Sequence, residues 1–536
     1  MKTRSRVKKI QTLSVLACLL LTTLACSQGY VSPVQLTATA KAAGIVTTPF
    51  PTLPAAATPT IEIEVTAKLS ETATSLPTFT DVPKTNVTAT ATATLDPRST
   101  ANPPIQYYTQ SGDTLPSILG RFGVNADQIT YSENVPPTGL ISPGILLIIP
   151  NVLSDVFDSI TVMPDSEVVF SPTALDFNVT QFVNQAGGYL STYQESLSTG
   201  AISGADIIKR VCLENSINPR LLLALLEFKS HWVYGMPANL AETEYPMGRI
   251  KLEEKGLYHQ LSWAVSQLSI GYYGWRAGTL SVLPFNDGTV LRISPGLNAG
   301  SAALQYLFAQ WYNESEWVGA LYGEESLPAL MEQMFGSPFV RAAEIEPLYS
   351  PALSQPSLEL PFMPGRVWAM TGGPHSAWGP YGARAALDFA PPSSKAGCVE
   401  SQEWVTAMAA GVIVRSGNGA VIQDLDGDGK ENTGWNIFYF HIGTQDRVTV
   451  GTRVEVGDKI GHPSCEGGVS TGTHVHVARK YNGEWILADG PLSFNLSGFI
   501  AHNGLEDYEG TLAKGDMIVT RDENGGKASH ISIPKN

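Results

Sequence analysis

Charge is scarce in this chain, and basic charge is scarcest. Only 15 % of the residues are charged and the net charge at neutral pH is −15. A nucleic-acid binder would normally show a basic face, so nucleic acid is excluded as a partner. Histidine is also rare, nine among 536 residues, and any place where histidines gather therefore carries weight. The hydrophobic fraction, 43 %, is that of ordinary globular protein. The length allows roughly three or four domains at about 150 residues each.

The first residues read as an export signal. Lys2, Arg4, Arg6, Lys8 and Lys9 form a basic head, and the apolar stretch LSVLACLLLTTLA follows, ending at Cys26. The stretch is short for a membrane span, which favours a secretory signal over residues 1–26. Its end, LTTLAC, resembles a bacterial lipoprotein signal, which implies lipidation of Cys26 and a membrane anchor; Thr23 stands where such signals favour leucine. Residues 27–104 are rich in Thr, Ala and Pro, with no helical period and little to bury. They read as a disordered stalk that supplies reach.

Residues 105–151 alternate short strands with helical spacing. QYYTQ leads to the turn Gly112-Asp113-Thr114, then Leu115, Ile118, Leu119 and Phe122 follow at helical intervals. A second short helix is expected near 125–134, and the strand ILLII after Pro143-Gly144. The pattern is β-α-α-β. Through SGDTL, RFGV and ISPGILLIIP the segment resembles a LysM module. That resemblance implies binding to N-acetylglucosamine-containing glycans such as peptidoglycan, through loops at Gly112, Asp113, Thr114 and Leu115 and from Pro136 to Ile141.

After a linker over 152–179, residues 180–350 read as helical. Cys212 there is expected to be a buried apolar residue. The segment NPRLLLALLEFKSHW resembles the lysozyme-like fold of lytic transglycosylases, in which a catalytic Glu precedes Ser. Here Lys229 precedes Ser230, and Glu227 lies two positions earlier, about 200° around a helix. A non-catalytic domain is therefore expected.

Residues 351–536 change character, to short β-type runs separated by Gly and Pro turns. Seven of the nine histidines lie here, and His375, His441, His462, His474 and His476 among them fall in or beside the β-type runs. In THVHVA the last two are one residue apart. In a strand they share one face, as two metal ligands or as one ligand and one proton-handling group. A zinc hydrolase needs three protein ligands and an open position, with further groups to move protons and steady an oxyanion. The order His375, Asp388, His441, then His474 and His476 can supply such a set. His462 reads as loop structure.

In GPH…LDF, FYFHIG and THVHVA the segment resembles the M23 metallopeptidases, the lysostaphin and β-lytic family. The short H-x3-D form of the first motif is absent, since Arg384 stands four residues before Asp388; the β-lytic arrangement fits His375 with Asp388. The resemblance implies Zn2+ on His375, Asp388 and His476, with His441 and His474 as catalytic histidines, and hydrolysis of peptide bonds in peptidoglycan stems or cross-bridges. Alternatives from other classes are a non-catalytic wall-binding adaptor or hydrolase activator, and glycan cleavage by the middle domain. Cys398 and Cys465 form a disulfide pair candidate in an exported protein. Asp424, Asp426 and Asp428 alternate as in calcium loops, but Trp435 at position 12 excludes an EF-hand and leaves a choice between a Ca2+ loop and a solvated hairpin tip. The expected chain is multidomain: a small β-α-α-β LysM module, an α-helical lysozyme-like middle domain and a C-terminal β-rich M23 domain with an extension.

Overall fold

The structure is a computed structural model that describes residues 103–131, 135–154, 156–157 and 160–534. The expected signal peptide, lipidation at Cys26 and the body of the stalk lie outside the described residues. Among those described, no helix is long and apolar enough to cross a membrane.

The first unit of structure is a three-stranded antiparallel sheet with one helix. Strands β1 (Ile105–Tyr108) and β2 (Thr130–Tyr131) flank β3 (Leu146–Ile149). Helix α1 (Leu115–Phe122) begins at Thr114, whose side chain accepts the Ser117 N–H in a reciprocal capping box. It ends at Gly123 in the left-handed conformation that glycine adopts without penalty. Ile118, Phe122, Leu147 and Ile149 form its core. The expected second helix is a single 3-10 turn, Ala126–Gln128, followed by the extended β2. The β-branched Ile129 and Thr130 favour extended backbone, so the β-α-α-β expectation is corrected to one helix and three strands.

The segment expected to be a linker is largely built into the core. Val162, Met163, Val168 and Val169 are buried with the helices that follow. The Asp165 carboxylate accepts N–H groups from Asn298 and Gly300 and pairs with Arg276. The helical middle region is present: α2 (Val179–Ala186), α3 (Gly204–Asn215), α4 (Pro219–Ser230), α5 (Leu257–Ala277), α6 (Ala299–Trp311), α7 (Glu314–Tyr322) and α8 (Leu327–Phe335). Two short hairpins, over residues 194–203 and 282–292, interrupt it. Helix α4 is buried almost all round, as its run of five leucines from 221 to 226 requires. Cys212 is buried among these helices.

The C-terminal domain is built on a nine-stranded antiparallel sheet. Its strands are β4 (Val367–Ser376), β5 (Arg384–Ala390), β6 (Gly411–Gly417), β7 (Ala420–Asp424), β8 (Trp435–Phe440), β9 (Arg453–Val454), β10 (Val475–Tyr481), β11 (Glu484–Trp485) and, near the C-terminus, β16 (His530–Ser532). A separate four-stranded sheet follows, β12 (Asn495–Leu496), β13 (Phe499–Asn503), β14 (Gly510–Lys514) and β15 (Met517–Thr520), before β16 (His530–Ser532) returns to pair with β4. The spatial order of the large sheet is β9-β6-β7-β8-β10-β5-β4-β16, with β11 beside β10.

Strand alternation sorts the large sheet into two cores. Val475 and Val477 of β10 pack with Leu387, Phe389, Ile437 and Tyr439 on one face. Ala478, Phe438, Phe440 and Ile422 point the other way and are buried with the helical region. The second face thus begins at His476 and continues beneath the helices. Burial on both faces explains why β10 reads as an apolar strand interrupted by histidines.

Candidate metal and catalytic site

Three strands bring the histidines and the aspartate together. His476 of β10 lies directly opposite Asp388 of β5, and Asp388 lies opposite Gly372 of β4. Register irregularities in β4 between Gly372 and Ser376 set His375 against Ala386 and bring its ring to the same place. His375, Asp388 and His476 each offer a ligand atom within 4.8 Å of the others. All three side chains are buried.

Backbone carbonyls aim the rings. His375 Nδ1 lies 2.8 Å from Gly373 O, and His476 Nε2 lies 3.0 Å from Ala377 O. Each of those nitrogens must carry its proton to donate, which leaves His375 Nε2 and His476 Nδ1 as lone pairs. These two atoms stand 3.0 Å apart, and Asp388 Oδ1 is 3.3 Å from the first and 3.2 Å from the second. Asp388 Oδ1 is buried and has no hydrogen-bond partner. Two imidazole lone pairs and an orphaned carboxylate oxygen converging in a buried site repel one another unless a cation lies among them. Two nitrogens and one oxygen form a donor set suited to Zn2+, and the carbonyl contacts are the outer contacts that orient such ligands. The residues present therefore fit the metal that the sequence resemblance implies. Without a cation, the neighbouring imidazoles of His375 and His474 hold the Asp388 carboxyl well below the usual carboxylate range against the opposing effect of burial. Burial lowers His476.

His441 and His474 stand beside this group. Their rings are 4.5 Å apart, and His474 Nε2 is 3.6 Å from Asp388 Oδ1. His441 Nδ1 contacts Glu466 O at 2.9 Å, and His474 Nδ1 contacts Gly472 O at 2.8 Å. Each therefore presents Nε2 as a proton acceptor. Burial, with His474 and His476 adding to it, pushes His441 down to about 3. His441 sits just past the end of β8 at φ +60°, a costly backbone conformation for a residue with a Cβ. All five residues line one cleft of about 1340 Å3.

Two contributors escape sequence reasoning. Tyr508, in the loop between β13 and β14, stacks on His375 with ring centroids 4.1 Å apart and lines the cleft. Burial and the nearby Asp388 and Asp507 carboxylates raise its phenol, so it stays protonated as a donor. Gly372 is the other: a side chain there would collide with the Asp388 carboxylate. Nothing in TGGPH separates this requirement from an ordinary turn.

Other expected site residues lie elsewhere. Cys398 and Cys465 are joined in a disulfide, Cα to Cα 5.8 Å, tying together two loops that flank the cleft. His462 is in a loop after residue 461, with Nδ1 on Glu403 O and its ring against Trp404. Asp424, Asp426 and Asp428 bring carboxylate oxygens within 4.8 Å of one another. Asp424 is buried and already accepts the N–H groups of Asp426, Gly427 and Gly429.

The glycan-loop residues of the first module are engaged within the protein. Asp113 is buried, with Arg121 Nη2 at 2.5 Å and Tyr107 Oη at 2.5 Å. Thr114 caps α1, and Ile141 is in the core. Gly112 lies directly under Arg276 of α5, whose Nη1 donates to Ser111 O at 2.6 Å. Leu115 is half-buried against the same small core. In the middle region, Glu227 Oε2 accepts the N–H groups of Val233 and Tyr234. Lys229 lies over the rings of Trp311 and Tyr312.

The chain is similar to the LasA proteases. A family model described as "LasA, N-terminal domain" matches residues 161–347, which takes in most of the helical region and much of the segment expected to be a linker. "Protease LasA" from one strain of Pseudomonas aeruginosa is 29 % identical over 296 residues, 51 % of this chain and 65 % of that protein, and the protein of the same name from a second strain is 28 % identical over the same shares. The chain thus spans just under two thirds of the length of these relatives. Among solved structures, "A Novel M23 Metalloprotease Pseudoalterin from Deep-sea" is 23 % identical, with 31 % of this chain and 96 % of that one covered and a TM-score of 0.26. The catalytic domain of lysostaphin from Staphylococcus simulans is 22 % identical, with 24 % and 89 % covered and a TM-score of 0.16.

Proposed function

We propose that the chain is a zinc-dependent endopeptidase of the M23 type that hydrolyses peptide bonds in peptidoglycan stems or cross-bridges. One observation carries the reading: the lone pairs of His375 Nε2 and His476 Nδ1 converge with the orphaned Asp388 Oδ1 in a buried group on the floor of an open cleft. Similarity to the LasA proteases supports it.

Zn2+ held by those three atoms would supply Lewis acidity toward a carbonyl and a lowered pKa for water. The chain's own residues do the rest. A peptide lies in the cleft with its scissile carbonyl over the three ligands. The imidazole of His474 or His441, with its Nδ1 held by a backbone carbonyl, takes the proton of the attacking water through Nε2 and returns it to the leaving amine. The Tyr508 hydroxyl donates to the carbonyl oxygen as negative charge develops there. The cleft between β4, β10 and the disulfide-tied loops holds the peptide extended over the ligands.

The helical region is assigned a non-catalytic role, because Glu227 is committed to backbone N–H groups and Lys229 to aromatic rings. Glycan holding is assigned to the 105–151 module, where contact at Gly112 to Leu115 requires that loop to lift from Arg276. Ca2+ at Asp424, Asp426 and Asp428, export, and a lipid anchor at Cys26 belong to the same reading. The test is mass analysis of fragments released from purified peptidoglycan by the zinc-loaded chain. New peptide termini with intact glycan strands are expected; anhydro-sugar products, or no release, overturn the assignment.

A further inference from the structure

The cleft extends from the histidines along β4 to the turn after β15, and there it meets one guanidinium. Arg521 Nε donates to Thr371 O at 3.2 Å, and Nη2 donates to Glu523 Oε2 at 3.2 Å. Among the described residues Nη1 has no protein partner, and the Arg521 side chain is 28 % exposed. Backbone bonds from Arg521 N to Gly510 O and from Asp522 N to Met370 O anchor this turn to both sheets. The guanidinium thus stands on anchored structure and lines the cleft, with Nη1 uncommitted and Nη2 held only by Glu523.

Its distance from the chemistry follows from the chain. Thr371 precedes Gly372, and the Asp388 carboxylate lies against Gly372. Standard backbone lengths then place Arg521 Nε within about 10 Å of the Asp388 carboxylate. An extended peptide advances ~3.3 Å per residue, so this is two to three residues from the bond over the ligands.

We propose that Arg521 is a specificity determinant that binds a free carboxylate on the substrate, two to three residues from the scissile bond. The proposal rests on the peptidase reading above and narrows its substrate class to acidic peptides. An arginine edge with paired N–H groups matches a carboxylate in two-point geometry. Glu523, the present partner, is 69 % exposed, and an exposed pair of this kind is weak enough for substrate to displace. Lys395, on the cleft wall, adds a second positive charge.

The test uses the full zinc-loaded chain and two peptides, identical except that one carries a carboxylate and the other a carboxamide at that position. The unsubstituted protein is expected to prefer the carboxylate by about tenfold in kcat/KM, the worth of one charge-assisted pair. Arg521→Gln should raise KM for the carboxylate peptide and bring the ratio to about one. Arg521→Lys should restore part of the preference, and Glu523→Gln should increase it by freeing Nη2. A protein that cuts both peptides equally, or an Arg521→Gln variant that slows both by the same factor through loss of the Thr371 contact, overturns this assignment alone. A protein that cuts neither overturns the peptidase reading with it.

Discussion

Arg276 and Glu484 form a two-point ion pair, Nε to Oε1 at 2.9 Å and Nη2 to Oε2 at 3.2 Å, that joins the helical region to the β-rich domain. The same guanidinium reaches Asp165 at 2.8 Å and Ser111 O at 2.6 Å. One side chain on α5 therefore contacts the first module, the segment leading into the helices and β11. Arg276→Met would leave the carboxylates of Glu484 and Asp165 without their cation, at a cost of about 3–5 kcal/mol. Urea unfolding should show that loss. Binding to N-acetylglucosamine oligomers should rise in the same variant, because the Gly112 loop is released; unchanged binding argues against glycan contact there.

The two kinds of histidine should separate cleanly. His476→Ala and His375→Ala are expected to lose bound zinc and activity together. His441→Ala and His474→Ala should keep zinc and lose roughly 100-fold or more in kcat. Zinc content by atomic emission, measured beside hydrolysis, checks this; zinc loss from His474→Ala would move that residue among the ligands.

Gly372 makes room for Asp388 rather than acting itself. Gly372→Ala should push the carboxylate off the two nitrogens and weaken zinc affinity by about 10- to 100-fold, the range seen when ligand orientation is disturbed. The fold should survive, since the change is local. Competition with a chromophoric chelator measures the affinity, and circular dichroism the fold.

Lys229 predicts a pH dependence of stability. Burial pushes its ammonium down to about 8, with Glu316 and Glu242 acting in the opposite direction. The unfolded chain, with a lysine pKa near ~10.4, therefore holds the extra proton between the two values. The protein is penalised below pH 8, and the penalty fades as pH rises toward ~10.4, by roughly 3 kcal/mol at most. Urea midpoints of the unsubstituted protein and Lys229→Met, compared from pH 7 to 10, should show the former gaining on the latter. A constant gap would falsify the buried-ammonium account.

Calcium at the aspartate loop is read by melting. Burial and the Asp424 carboxylate raise Asp426, and a divalent cation would relieve that crowding. Millimolar Ca2+ should raise the melting temperature, and Asp426→Asn should abolish the shift. No shift in the unsubstituted protein identifies the loop as a solvated hairpin tip.

The legible part of this protein was local. The residue pair in THVHVA, the β-type runs around it, the helical spacing from 204 to 230 and the capped helix at Thr114 all follow from side-chain period and capping, which neighbouring residues decide. What sequence misjudged was nonlocal. Residues 162–169 looked like a linker because their partners, Asn298, Gly300 and Arg276, lie more than a hundred positions away. The second helix of the first module gave way to a strand because β3 was there to pair with it.

The sequence by itself determined which chemical groups are present and, along a regular strand such as β10, which face they occupy, because a period of two needs no tertiary contact. Only the tertiary structure decided which lone pairs face one another, that Tyr508 stacks on His375, that Gly372 must lack a side chain and that Arg521 reaches the cleft. Those relations depend on strand register and loop return between segments up to 150 residues apart, and register is set by the packing of the whole sheet.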